Sequence, residues 1–389
     1  MATSVTDRPL VAFVTTHWGD GDDEATATTR LLAGAVARHA QVEVLHLVAP
    51  EAAGPPRADS VFRVHPVPLV GARPLRGGVL QAALAGTARG AEAAVAPAAV
   101  AAVLRGDEGD APGLVDLLVR LRPHSVVLAG RHQPIEPAIL GRRGRPGAPR
   151  VVVLPFTASP AQLAGAPLAR LLERADAVAY LHPGERAALV SLGHERLAPL
   201  DLALPLNRGA VAHTLFGLRF FGRYVLLVRS FPSGGPRLRR SVTHEVLRHV
   251  LGDVSVAEVD GDRWRVSDGE GTLQLPVSPT RVNLWRLMAH AEATIDLRPP
   301  GPFGREALES MLLRTPVVVP EPSAAMAHAK AAGGGLWYRD VGELFDATRA
   351  VLDPGLRARL AAQGAAYAVR HHGQVHDFVA RARSLVLGA

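Results

Sequence analysis

The chain predicts an α/β protein of two doubly wound domains, each a parallel sheet covered by helices. Three observations predict it. Strand, loop and helix patterns alternate through the first half and begin again near residue 224. The 389 residues are long for one core and suit two domains of roughly 150–200 residues each. Third, the stretch 298–320 reads as a Gly/Pro loop, a helix over 305–313, a two-residue turn and a buried strand over 316–319.

In chain order, residues 10–15 form a short apolar strand, followed by the loop 17–23 with Gly19 and Gly21. A helical pattern over 25–39 puts Leu31, Leu32, Ala35 and Val36 on one face, and 42–47 is the next strand. Strand, Gly-containing loop, helix and strand open a doubly wound sheet. Residues 49–113 are the least readable, with a strand over 61–67 and Ala-rich helix. A helix closes over 116–121, strands follow at 124–129 and 151–154, and a Gly/Arg/Pro loop covers 142–150. Residues 167–174 read as a helix with Pro167 in its first turn, where a missing N–H costs nothing. A strand at 177–181, a helix over 183–190 and an extended segment at 200–205 complete this half.

The second half starts with a strand at 224–228, ending in Arg229 and a Gly/Pro/Ser loop. A helix through 242–251, a strand near 254–259, a helix over 283–291 and a strand at 293–297 lead to the 298–320 stretch. Beyond it come a Gly-rich loop at 333–335, an extended 336–338, and helices over 341–352, 356–369 and 374–387.

Composition narrows the function classes. Hydrophobic content of 48% with 20% charged residues describes a globular chain rather than a disordered one. No apolar stretch is long enough to span a membrane, and residues 1–9 lack an apolar signal core, so export is not expected. The absence of cysteine excludes disulfides and thiolate metal sites and agrees with a cytoplasmic location. The net charge of +7 rests almost wholly on arginine, Lys330 being the only lysine. A positive field favours nucleotide phosphates, anionic headgroups or nucleic acid. No basic run is interleaved with aromatics, which argues against nucleic acid. Membrane-surface association through arginines stays open, although no amphipathic helix marks it.

A loop feeding a helix N-terminus leaves backbone N–H groups free, so Phe303, Gly304 and Arg305 form a candidate anion site for a phosphate or diphosphate. Glu306 and Glu309 stand three residues apart on that helix and can face one cleft.

The motif Pro302-Phe303-Gly304, Leu308-Glu309-Ser310-Met311 and Thr315-Pro316-Val317-Val318 resembles, in order and spacing, the donor-site signature of retaining GT-B glycosyltransferases of the family-4 type. Arg174-Ala-Asp-Ala-Val178 and Gly184-Glu185-Arg186 match that family's earlier pattern. The resemblance implies two Rossmann-like domains facing a central cleft: 1–206 on the acceptor side, 207–372 on the donor side, and a helix over 373–389 crossing back. It implies a metal-independent hexosyl transfer from a nucleotide-diphosphate sugar, with no resident cofactor, to a small metabolite, lipid or glycan.

Residue by residue, the resemblance places Arg229 on the donor diphosphate and Glu309 on the donor ribose, whose vicinal hydroxyls suit two carboxylate oxygens. Gly19 and Gly21 fall on its first glycine loop, near the donor phosphate and the acceptor. Four positions depart. The family's first motif glutamate, which contacts the sugar, falls on Gly301; its diphosphate lysine falls near Ser233 or Gly234; Val228 replaces a glycine; and 156–159 lacks its histidine. Arg237, Arg239 and Arg240 can supply the missing charge with a different geometry. Asp20, Asp22 and Asp23 can receive acceptor hydroxyls or a cation, or be solvated turn residues. His132 ends a strand and can face the cleft, or be structural; His371 and His372 read as a surface pair without a metal. Two functions from different classes follow: an active glycosyltransferase, or a GT-B pseudoenzyme that binds without transfer.

Overall fold

The computed structural model describes residues 8–15, 18, 24–48, 57–58, 62–68, 114–130, 148–156, 171–194, 196–206, 208–211, 222–230, 247, 251–268, 271–275, 277–298 and 301–388. Among them run two separate sheets, both dominated by parallel pairs.

The first half contains β1 (Leu10–Thr15), α1 (Glu24–Ala37), β2 (Gln41–Val48), β3 (Arg57–Ala58), β4 (Arg63–Pro68), α2 (Leu114–Leu121), β5 (Ser125–Ala129), β6 (Arg150–Leu154), β7 (Ala177–Tyr180), α3 (Pro183–Ser191) and β8 (Leu197–Pro199). The strand order is β3-β4-β2-β1-β5-β6-β7-β8, with only β3 antiparallel to its neighbour. Along β1, Val11 and Phe13 enter one apolar cluster while Ala12 and Val14 enter another. That division is the mark of a sheet covered on both faces.

The second half contains β9 (Tyr224–Ser230), β10 (Ser255–Asp260), β11 (Arg263–Ser267), β12 (Thr272–Gln274), α4 (Arg281–His290), β13 (Thr294–Asp296), α5 (Arg305–Leu312), β14 (Val317–Pro320), α6 (Ala324–Ala332), β15 (Gly335–Tyr338), α7 (Val341–Val351), α8 (Pro354–His372) and α9 (Val375–Leu387). Its order is β12-β11-β10-β9-β13-β14-β15. Here too alternate residues divide: Tyr224, Leu226 and Val228 go to one face, Val225 and Leu227 to the other. Each sheet reverses direction of growth once, at β1/β5 and at β9/β13, and the C-terminal ends at such points form ligand crevices.

Two features differ from the sequence reading. The strands β11 and β12 extend the second sheet by antiparallel pairing. Trp264 and Val266 alternate inward along β11, a period-2 signal too short to stand out from the loop around it. Helix α6 lies between β14 and the Gly-rich loop, where no element was read from sequence. It has clear ends, with the Ser323 side chain accepting from the Met326 N–H and Gly333 in the left-handed region at its close. The helix expected through 242–251 falls mostly outside the described residues.

One apolar cluster joins the halves, running from Phe13 and Leu32 through Phe303, Leu308 and Met311 to Phe378 and Leu385. The chain also returns at its end to the first sheet. The Ser125 hydroxyl donates to the Val386 carbonyl (2.7 Å), and Arg150 Nε to that of Leu385 (3.2 Å). No helix among the described residues is long and apolar enough to cross a membrane.

Candidate functional site

The loop before α5 is shaped by two glycines and a buried aromatic. Gly304 caps α5 at φ 70 and ψ 40, and a Cβ there would meet the backbone of Ala325 at 2.7 Å. Both the left-handed backbone and the close approach of α6 demand glycine. Phe303 is 1% exposed, which fixes the loop against the core shared by both halves.

The free N–H groups at this helix end are met by a side chain from the other half. Glu24, the first residue of α1, accepts from the Phe303 N–H through Oε2 (3.0 Å) and from the Arg305 N–H through Oε1 (2.5 Å). A carboxylate suits a helix N-terminus both as acceptor and as charge. Its Oε2 lies where a Cβ at Gly301 would come, so the bare glycine leaves the carboxylate room. Burial raises the Glu24 carboxyl above its ordinary pKa, and the neighbouring Glu306 raises it further, against Arg298 and the two N–H bonds.

Beneath Glu24 lies a dense ion-pair network. Arg281 Nη1 donates to Glu306 Oε1 (2.7 Å), and Arg281 Nε to Glu309 Oε1 (3.1 Å). Arg305 Nε also donates to Glu309 Oε1 (2.9 Å). Arg298 grips Asp296 through Nε (2.9 Å) and Nη2 (2.8 Å), and reaches Glu306 with Nη1. Burial alone would raise the Glu306 carboxyl, but Arg298, Arg281 and Arg305 together hold it well below the usual range. Asp296, Glu306, Glu309 and Glu24 thus face only Arg281, Arg298 and Arg305 among the described residues.

The end of β9 has the opposite character. Arg229 sits where the β9–β10 register slips: Val228 pairs with Val259, but Ser230 with Asp260. Such a bulge re-aims the side chain it carries. The Arg229 side chain is 6% exposed, and its Nε donates to Glu258, whose other oxygen accepts from Arg265 Nε (2.5 Å). Nη1 and Nη2 of Arg229 are buried with no hydrogen-bond partner among the described residues. Two N–H-bearing nitrogens of a fixed guanidinium are therefore left at the C-terminal edge of the sheet, a geometry fit for paired phosphate oxygens.

Behind Phe303 a histidine cluster packs between the halves. His328 of α6 lies 6.1 Å, ring to ring, from His182 at the start of α3, and 5.3 Å from His372 at the end of α8. Phe303 meets His328 and His372 edge-on at 6.0 and 5.7 Å. His328 Nδ1 shares a hydrogen bond with the Tyr367 hydroxyl (2.9 Å), and His372 Nδ1 with the Leu202 carbonyl (3.0 Å). Burial pushes His372 down to about 4, and pushes His328 well below its ordinary value with help from His372 and His182. Contrary to the surface pair read from sequence, His372 is 1% exposed, because α8 ends against the first half.

Of the residues singled out from sequence, Phe303, Gly304, Arg305 and Glu309 come together at the N-terminus of α5, and Arg229 stands at the end of β9. The Phe303 and Arg305 N–H groups are not open to a phosphate, because Glu24 holds them. Glu309 is fully buried and tied to Arg281 and Arg305, so a ribose there would have to share its oxygens. Gly19, Gly21, His132, Arg237 and the Asp20, Asp22 and Asp23 set lie outside the described residues. Sequence reasoning missed Glu24, Glu258, Arg281 and Arg298. Only Glu24 carried a local signal, an acid directly after the acidic glycine loop. Among the described residues no group of His, Asp or Glu is arranged to hold a metal ion.

The chain matches no protein-family model, and no curated protein sequence matches it. Solved structures do resemble it over nearly its whole length. Sucrose-phosphate synthase from Thermosynechococcus elongatus superposes with a TM-score of 0.63 at 13% identity, covering 97% of this chain and 98% of that one. The trehalose 6-phosphate synthase from Burkholderia multivorans gives 0.60 at 15% identity, over 97% and 98%. WaaG, a glycosyltransferase of lipopolysaccharide biosynthesis, gives 0.55 at 13% identity, over 97% and 100%. The fold is GT-B. Its two Rossmann-like sheets face a central cleft, and the α5 loop meets the first half there through Glu24.

Proposed function

We propose that this GT-B protein transfers a hexose from a nucleotide-diphosphate sugar to a small metabolite, lipid or glycan acceptor, with retention of configuration and without a metal. The carrying observation is Arg229: a buried guanidinium anchored by Glu258, with two nitrogens that have no hydrogen-bond partner among the described residues, where a β-strand ends at the sheet's switch point. A GT-B protein of similar fold, the trehalose-6-phosphate synthase from E. coli, has been solved bound to UDP-2-fluoro glucose, which agrees with a nucleotide-sugar donor.

In this reading the bond from the sugar's anomeric carbon to the diphosphate breaks as the acceptor oxygen bonds to that carbon. The acceptor's proton passes to the departing phosphate. No protein nucleophile is needed, and the chain's contribution is position and charge. Arg229 Nη1 and Nη2 neutralise the diphosphate as it leaves. The α5 loop faces the sugar end, and Glu309, fully buried, holds Arg281 and Arg305 in place behind it.

Calorimetric titration with UDP, GDP and ADP, and with their hexose conjugates, tests the donor site. Micromolar binding of one nucleotide, lost in Arg229→Ala, is the expected result. Absence of binding by every nucleotide overturns the reading. Turnover is then followed by nucleotide release with acceptors of each class, and product configuration by NMR. Binding without release for any acceptor would leave a non-transferring GT-B binding protein.

A further inference from the structure

We infer that the second half carries a separate anion site for a small phosphate-bearing ligand, in a cavity lined by Arg314 and Arg357 at the N-terminal edge of its sheet.

The cavity has a volume of about 190 Å³, the room of roughly six waters. It lies between the end of α4 at Ala291 and Glu292, the turn after α5 at Arg314 and Pro316, and the start of α8 at Arg357. The parallel strands β13 and β14 begin beside it and run away from it. Helix α5 has its N-terminal loop at one end and this cavity at the other, its eight residues spanning about 12 Å. The two places are therefore distinct.

Arg314 stands here against its backbone preference. It closes α5 in a Schellman turn: its N–H donates to the Met311 carbonyl and the Thr315 N–H to that of Ser310, both at 3.0 Å. That turn sets Arg314 at φ 64, in the left-handed region where glycine is the usual occupant. Arg122 and Phe156 also have a positive φ, but of the three only Arg314 lines this cavity. A long cation kept where the turn favours glycine points to a role for its side chain.

The charges around it leave room for an anion. Glu292 is the cavity's one lining carboxylate, and both its oxygens are engaged. Oε1 accepts from Arg223 Nε (3.2 Å), and Oε2 pairs with Arg357. The exposed Arg314 side chain has no hydrogen-bond or ion-pair partner among the described residues. Burial, and then the neighbouring Arg223, lowers the Arg357 pKa from its ordinary value, a sign that cations crowd this place. Guanidinium forks from two different elements suit the several oxygens of a phosphate group.

The test titrates the full chain by calorimetry with inorganic phosphate and with glycerol 3-phosphate, at an ionic strength held constant with chloride. Wild type should bind at least one probe, and Arg314→Gly and Arg357→Gln should each weaken it about tenfold or more. The tighter probe tells whether free phosphate or a phosphate monoester is the ligand. Glycine suits the turn, so Arg314→Gly should melt no lower than wild type, and its loss of binding would not come from misfolding. Binding of neither probe by wild type overturns the inference. Retained binding in Arg314→Gly overturns it too, and loss of that binding in Arg229→Ala would then place the anion at the donor site. Neither result touches the donor-site reading, which nucleotide titration tests on its own.

Discussion

The end of β9 and the N-terminus of α5 stand at the same edge of one sheet, yet their polar groups are satisfied in opposite ways. At β9 a single buried guanidinium is anchored by Glu258 through one nitrogen, and its other two have no hydrogen-bond partner among the described residues. At α5 the Phe303 and Arg305 N–H groups are covered by Glu24. Under the proposed function, Arg229 meets the donor diphosphate, while the α5 end is already capped by a carboxylate.

Four experiments break or sharpen this contrast. The largest expected effect comes from Glu258→Ala, which strands the buried Arg229 guanidinium and should cost about 3–5 kcal/mol in denaturant unfolding. Replacing Arg229 and Glu258 together with apolar residues should recover most of that stability while abolishing nucleotide binding. Recovery of stability with retained binding would remove Arg229 from the site.

The histidine cluster lies on the α5 side alone, so acid should separate the two regions. His372 titrates near 4 when folded and near the ordinary histidine value when unfolded. Above about pH 6.5 both states are neutral and stability is complete. As pH falls through that value the unfolded chain takes up the proton that the folded protein refuses, and stability drains away down to pH about 4. The loss from His372 alone is of the order of 3 kcal/mol, and His328 adds to it in the same direction. Hydrogen exchange at pH 4.5 should rise in α5 and α6 before it rises in β9 and β10. Uniform loss of protection would mean the two regions unfold as one.

Next in size, Arg229→Ala should weaken a bare nucleoside diphosphate by about 10–100-fold, or about 1.4–2.8 kcal/mol, and flatten the salt dependence of binding. The smallest effect is on the loop itself. Gly301→Ala should lower stability by about 1 kcal/mol, the worth of a lost helix cap. In the double variant with Glu24→Ala the two losses should not add, because both break the same contact. Additive losses, measured by denaturant titration, would mean that Gly301 and Glu24 act separately.

How legible each region was in sequence differs in an instructive way. Arg229 was readable because a strand ending at a switch point is a local pattern, yet its partner Glu258 lies on β10, 29 residues on. Gly301 was visible only as a missing acid, because the carboxylate filling that place comes from 279 and 281 residues away, measured to Phe303 and Arg305. Glu309 was placed correctly on its helix, but its enclosure by Arg281 and Arg305 needed side-chain positions. His371 and His372 looked alike in sequence, and only the docking of α8 on the first half buried the second of them.

By itself the sequence determined what depends on neighbours along the chain. Apolar periodicity set most of the strands and helices, glycine and proline marked the α5 loop, and the repeated strand–helix grammar required two sheets. Tertiary structure decided what depends on charged and polar groups brought together from distant parts of the chain. Which carboxylate occupies the α5 N-terminus, which acid anchors Arg229 and which histidine loses water are set by contacts between segments far apart in the chain. Electrostatic interactions act through space and burial, and no local pattern records either.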